Sequence, residues 1–305
     1  MLRRNARARA KSPEPSTTPR RRTRLRAAGV VIGLAVLASP LAFFGLASTD
    51  DATDRAKAIV PLPPKPYLQP TPLRTQPGVH EGADVCQQDG ALCPDLAMRP
   101  PYQMIPDVER KRRVLRVANA VLSIGAGPVE VRGTRTSSLT MKAVQYVRRE
   151  NGRTSIRVPG DAGRLLYKAI PGQGRIWKFE YTAQFELWST GAKPKRVRVG
   201  PKLVYCLRDL RKLWDWERSP TREVYPACPR SSKIKKATLG TSAGWADIYP
   251  ASYYEQWIDV QGLKGCFDLI HIADPRNRLV ESDETNNASR TRIKLPTGRT
   301  KVEYC

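Results

Sequence analysis

From Cys86 onward, the apolar residues of this chain come in short runs, rich in β-branched and aromatic types and broken by Gly, Pro and Asn. Such runs suit strands; an amphipathic helix needs apolar positions three and four apart over ten or more residues. Val114 to Ile124 reads as a strand, followed by Pro128-Val129-Glu130-Val131-Arg132. Ile176 to Trp188 alternates weakly and Val197 to Leu207 well. Tyr254 to Val260, Cys266 to Ala273 and Ser289 to Leu295 complete the set. One short helix fits Cys206 to Trp216. Many short strands at turn-separated intervals predict an all-β domain, an immunoglobulin-like β-sandwich with few short helices. No internal repeat is visible.

The N-terminus is of a different kind. The first 26 residues carry ten Lys/Arg against one acid, Glu14, and the next 23, Ala27 to Thr49, carry no charge. That span is long enough to cross a bilayer core of ~30 Å as a helix. A basic flank ahead of it keeps the N-terminus in the cytoplasm and sends the downstream chain outward. Two fates are open for 27–49: an uncleaved transmembrane anchor, or a signal sequence cut after Gly45-Leu46-Ala47. Residues 50–79 hold Pro61, Pro63, Pro64, Pro66, Pro70, Pro72 and Pro77, the composition of an extended, semi-rigid spacer. The organisation expected is thus a basic leader (1–26), the apolar span (27–49), a Pro-rich linker (50–79) and a β domain (80–305).

The formal net charge is +25, and beyond position 26 there remain 43 basic and 27 acidic residues, an excess of 16. Outside the cytoplasm, such an excess favours an anionic surface: an envelope polymer, an acidic polysaccharide or lipid headgroups. Export argues against nucleic acid, and no basic motif interleaved with aromatics argues for it. Six Cys in an exported chain suggest three disulfides, with fifteen possible pairings. Cys86 and Cys93 enclose a short loop and are expected to pair. No CxxC pair or Cys/His grouping supports a metal site instead.

Three stretches of the last third carry a more specific signal. They are Trp245-Ala246-Asp247-Ile248-Tyr249, Gln256-Trp257-Ile258-Asp259-Val260 and Glu281-Ser282-Asp283-Glu284-Thr285-Asn286-Asn287. In that order and spacing they resemble the catalytic domain of the lysyl oxidase family. Cys93-Pro94-Asp95-Leu96, Leu115-Arg116-Val117 and Gly127-Pro128-Val129-Glu130-Val131-Arg132-Gly133 resemble its opening, so the resemblance runs from about Cys93 to Thr297. It implies a lysyl-oxidase-type β fold, copper, and a lysine tyrosylquinone built from one Lys and one Tyr that oxidises primary amines. It also places Cys206 and Cys228 at comparable points, suggesting their pairing; Cys266–Cys305 is then left by elimination.

The family holds copper on three His at alternate positions, a spacing that turns three imidazoles to one side of a strand. This chain has only His80 and His271. Set against the landmark Ala183-Gln184-Phe185-Glu186-Leu187 and the aromatic Trp177, the three ligand positions hold Gly174, Ile176 and Lys178. The quinone positions tell the opposite story. Gly200-Pro201-Lys202-Leu203-Val204-Tyr205-Cys206 resembles the segment in which the cofactor Lys precedes Cys by four, and Ala246-Asp247-Ile248-Tyr249 the segment bearing the precursor Tyr. Lys202 and Tyr249 therefore occupy the two cofactor positions, and without bound copper they are expected to stay an amine and a phenol.

The remaining candidates are weaker. Asp274, Asn277, Glu281, Asp283, Asn286 and Asn287 read as a hydrogen-bonded turn; calcium would suit such oxygens, but the spacing is not that of an EF-hand. Asn287-Ala288-Ser289 has the form of a glycosylation acceptor. His271 lies in the apolar run Leu269-Ile270-His271-Ile272 and reads as a core or edge residue, and no Ser/His/Asp or Cys/His set stands out. The reading is an anchored or secreted protein of lysyl-oxidase type with a degenerate copper site, without cofactor. It is expected to be a non-catalytic module binding an anionic envelope polymer or acidic lipid. The alternative is a copper-dependent amine oxidase acting on primary amines or protein lysine, with metal on unexpected ligands.

Overall fold

A computed structural model describes residues 82–305, so the leader, the span at 27–49 and the linker lie outside the described residues. Among the described residues the only helix is one 3-10 segment, Ala83–Gln87; the other regular elements are strands, and the domain is all-β. No helix among them is long and apolar enough to cross a membrane.

Every strand pairing among the described residues is antiparallel, and the strands form three sheets. The largest, eight-stranded, runs in the order Val204–Tyr205, Gly174–Glu180, Gly163–Ile170, Thr140–Arg149, Val129–Arg135 and Lys236–Thr241, with two short strands beside it. A five-stranded sheet joins Arg196–Val199, Ala183–Ser189, Gly265–Ala273, Ala288–Leu295 and Glu303–Tyr304. The third centres on the twelve-residue strand Arg112–Ser123, which pairs with Leu96–Met98, Tyr102–Glu109, Trp245–Tyr249 and Trp257–Asp259.

Two of the expected runs are divided. Ile176 to Trp188 holds two strands in different sheets, and the chain changes direction at Tyr181, whose φ of 58° ends the first. Val197 to Leu207 is interrupted at Gly200-Pro201, because proline has no N–H to give a ladder. The helix expected from Cys206 to Trp216 is absent. Leu207 has a left-handed φ of 48°, which a helix cannot contain. Asp209 draws the segment into another network: it accepts from the backbone of Val224, Tyr225 and Ser242 at 2.7–3.2 Å.

Packing follows side-chain alternation. Phe185, Leu187, Phe267, Leu269 and Ile293 of the five-stranded sheet meet Leu115, Val117 and Ile258 of the third sheet. A larger cluster gathers Val129, Val131, Met141, Leu165, Trp177, Phe179, Tyr205 and Tyr249. Each such side chain fully buried contributes ~1.5–3 kcal/mol. Gly127 shows how close the chains come: a Cβ there would collide with the carbonyl oxygen of Leu92.

Three disulfides join Cys86–Cys93, Cys206–Cys228 and Cys266–Cys305, and no cysteine is free. Such bonds belong to an oxidising, extracytoplasmic compartment. Cys206 and Cys228 are part of the large apolar cluster, whereas Cys305 is exposed beside the exposed strand Glu303–Tyr304. Removing a native disulfide typically costs ~2–5 kcal/mol. Calorimetry should therefore show a large drop in thermal midpoint for Cys206→Ser and a clearly smaller one for Cys266→Ser. Equal drops would mean that the C-terminal tie matters as much as the buried one.

Candidate functional site

The candidate site is a cage of tyrosines around buried amines, built by three pieces of chain. Strand Gly174–Glu180 lies against Gly163–Ile170 with Lys178 opposite Leu166, and its alternation puts 174, 176 and 178 on one side. Gly174 is exposed at the start of that strand, Ile176 is nearly buried, and Lys178 is 1% exposed. The second piece is the connection Gly200 to Leu203, which delivers Lys202, 2% exposed, just before Tyr205 pairs with Phe179. The third is strand Trp245–Tyr249, whose Asp247 and Tyr249 share a face, followed by the turn that carries Tyr253.

Lys202 and Tyr249, far apart in sequence, meet here: the amine Nζ lies 4.2 Å from the ring centroid. The same nitrogen is 4.7 Å from the Tyr205 ring and 4.4 Å from the Tyr253 ring. Lys178 faces the Tyr249 and Tyr253 rings at 5.4 and 5.0 Å, and its Nζ donates to the Tyr253 hydroxyl at 3.1 Å. The rings stand edge to face, Tyr205 on Tyr249 at 5.1 Å and Tyr249 on Tyr253 at 5.0 Å. Their hydroxyls are held apart: Asn119 Nδ2 donates to Tyr205 at 3.0 Å, the Cys206 N–H donates to Tyr249 at 2.8 Å, and Tyr253 donates to Gln173 Oε1 at 3.0 Å. Ring faces attract ammonium groups, and more strongly where water is excluded.

Burial dominates the electrostatics. It pulls the Lys178 amine down to about 8, against the attraction of Asp247, with Lys168 and Arg208 adding to the fall. Burial also carries Lys202 well below the ordinary lysine range, and the charge of Lys178 pushes the same way. Asp247 is lifted to about 6 by burial, though Arg208 and Lys178 oppose the shift. Tyr249 is pushed well up, first by burial and then by Asp247. At the rim, Lys168 pairs with Glu255 at 2.7 Å.

Residues 175–305 match the family model described as Lysyl oxidase, a span that includes Lys178, Lys202, Tyr249 and the tyrosines of the cage. Over that span, less than half of the chain, the sequence is similar to the lysyl oxidase family. No curated protein matches the chain. The lysyl oxidase family implies copper and a lysine tyrosylquinone, and the residues here do not fit the metal. Of the three positions that the resemblance aligns with the family's ligands, Gly174 has no side chain, Ile176 is aliphatic, and Lys178 directs an ammonium into the tyrosines. Among the described residues no three His, Cys, Asp or Glu side chains are grouped to hold a metal ion. His271 is fully buried in the core against the Phe185 ring, 4.3 Å between centroids. His80 is outside the described residues.

The oxygen-rich stretch near the C-terminus forms the expected turn. Asp274 accepts from the N–H groups of Arg278 and Leu279, and Asn286 donates to Asp95 at 2.9 Å. Asn287 is buried and its amide donates to Glu281 at 2.9 Å, so the side chain of the glycosylation triplet points inward. The turn thereby ties the Pro94-Asp95-Leu96 segment to the C-terminal third.

Reading the sequence missed three parts of the cage. Tyr205 lies within the Lys202 segment, three residues on; Tyr253 lies four beyond Tyr249; Gln173 sits in a turn with no signal of its own.

The shift of Lys178 has a testable sign. The folded chain releases this proton near pH 8 and an ordinary lysine near 10.5, so in that window the unfolded chain binds more protons. Stability attributable to Lys178 therefore rises between pH 8 and 10.5, by about 3 kcal/mol in full. Between pH 8 and about 9.5, below the range in which the buried tyrosines oppose it, urea midpoints should climb in the parent and climb less in Lys178→Met. An unchanged slope would mean that Lys178 carries no buried charge.

Proposed function

We propose that this chain is an exported, lysyl-oxidase-like protein whose copper site has degenerated, and that it works as a non-catalytic module binding an anionic envelope polymer or acidic lipid surface. The observation that carries this reading is Lys178: at the third ligand position its ammonium occupies the cage and bonds Tyr253. A cation there repels a metal ion, and neither Gly174 nor Ile176 offers a donor atom. The all-β domain is taken as an immunoglobulin-like sandwich of lysyl-oxidase type. The span 27–49 is taken as its membrane anchor or signal helix, with the domain outside the cytoplasm.

Binding to an anionic surface is supported by the excess of 16 positive charges beyond residue 26. It is also supported by where those charges stand. Glu186 and Asp268 are buried beneath Arg196 and Arg292, whose side chains are 50% and 48% exposed. The acids lie inside and the guanidinium groups face out.

A second reading, a copper-dependent amine oxidase, is favoured by the approach of Lys202 to Tyr249 and by the family match. Elemental analysis of protein refolded with copper, run beside a peroxide-release assay on a primary amine, separates the two. The expected result is far less than one copper per chain and no peroxide. One tightly held copper with amine-dependent peroxide would replace the binding reading with the oxidase.

The partner is tested separately. The purified protein should sediment with anionic cell-wall fragments at low salt and be released at high salt, because charges at an exposed contact are screened beyond ~8 Å at physiological ionic strength. Equal retention at both salt concentrations, or none at either, would remove the electrostatic partner.

A further inference from the structure

A buried amine without a carboxylate partner needs an explanation. Lysine is almost never fully buried unless paired, and among the described residues the contacts of Lys202 Nζ are the faces of Tyr205, Tyr249 and Tyr253. Aromatic faces favour the ammonium form only modestly. Burial and the neighbouring ammonium of Lys178 act against it, and they win. The free amine is the nucleophilic form of lysine, and desolvation beside a second cation is one of the ways proteins generate it.

The walls of the cage differ in exposure. Tyr205 and Tyr249 are buried, whereas Tyr253 is half-buried. Tyr253 belongs to the turn from Pro250 to Gln256, closed by two backbone hydrogen bonds and holding Glu255 at a left-handed φ of 64°. Two contacts pin its hydroxyl, one from Lys178 and one to Gln173. The chain neighbours of this wall line a cavity of about 390 Å³, formed by Pro171, Pro201, Ser252, Tyr254, Glu255 and Trp257 among others, though Tyr253 itself does not line it. Pro201 precedes Lys202, and Ser252 and Tyr254 flank Tyr253, so the cavity and the cage are built from adjoining residues.

We propose that Lys202 is a carbonyl-reactive amine that captures a small aldehyde admitted from this cavity when the Tyr253 ring swings aside. The Nζ lone pair attacks the carbonyl carbon and a C–N bond forms while the C=O π pair moves to oxygen. The oxygen is protonated and leaves as water, the nitrogen gives up two protons in all, and an imine remains. Amine plus aldehyde gives imine plus water, with no change in oxidation state and no metal.

The test uses the purified protein with a chelator present, propanal as the probe and cyanoborohydride to fix any imine, followed by peptide mass mapping at neutral pH. Exposed Lys193 and Lys301 serve as internal references. An ordinary lysine keeps roughly one amine in a thousand unprotonated at neutral pH. Lys202 is therefore expected to be alkylated at least tenfold faster than the references, either in the parent or, if the ring is slow to move, in Tyr253→Ala. In Tyr253→Ala the Lys202 rate should rise severalfold while Lys193 is unchanged. Labelling of Lys202 no faster than Lys193 in both proteins would overturn the proposal, as would a peptide mass joining Lys202 to Tyr249. Because chelated protein is used, the outcome does not depend on whether the domain takes up copper, and each idea fails on its own evidence.

Discussion

Strand Arg112–Ser123 is the constraint on which the rest hangs. It is hydrogen-bonded on both edges to four other strands, and from Val114 to Ser123 nearly every residue is buried. Its one buried amide, Asn119, turns that backbone into a template for the cage. Asn119 pairs in register with Tyr249, donates to the Tyr205 hydroxyl at 3.0 Å, and accepts from Gln256 Nε2 at 3.1 Å. Gln256 also donates to the Val117 carbonyl at 2.9 Å, which anchors the far end of the turn carrying Tyr253. Two of the tyrosines are thus held by one residue, and the third through a turn fastened to the same strand. The network is not fully satisfied, since Gln256 Oε1 is buried without a hydrogen-bond partner.

With the template in place, the electrostatic content of the cage can change without loss of shape. Lys178 places an ammonium among the ring faces beside Asp247, while Trp177 and Phe179 point to the opposite side of the same strand. The cost is desolvation of two amines side by side, expressed in the lowered proton affinity of both. That cost falls on local stability rather than on the fold.

How much of this is legible in the sequence depends on the same distinction. The strands around Val114, Cys266 and Ser289 can be read because one or both faces are buried and period-two or continuous apolar patterning survives. Thr140–Arg149 and Gly163–Ile170 are harder to read, since their outward positions carry Lys142, Arg148, Arg164 and Lys168 while apolar residues such as Val144, Tyr146 and Leu166 fall on both faces and blur the alternation. The break at Tyr181 is invisible because a single left-handed residue sends the chain to another sheet without altering hydropathy. Lys178, Lys202 and Tyr249 emerge from the resemblance of their segments to the lysyl oxidase family. That their side chains share one set of rings depends on long-range register, which spacing within a segment does not encode. Tyr253 and Gln173 belong to turns, where position is set by hydrogen bonds such as Tyr253 to Gln173 and not by periodicity.

The distribution of acids also bears on the surface charge. Glu130, like Glu186 and Asp268, is buried while its arginine partners are not: burial alone would raise it, but hydrogen bonds from Tyr225, Arg132 and Arg148 outweigh that and hold it ionised. Each such carboxylate fixes one or two guanidinium groups flat on a strand surface, with their outer edges in solvent. An Arg held this way has already lost the rotamer freedom that a free side chain would give up on contact with an anion. Its remaining N–H donors keep the forked geometry that suits carboxylate and phosphate oxygens. On the proposed reading, a polymer of repeating anionic groups would engage several such arginines where a single small ion engages one.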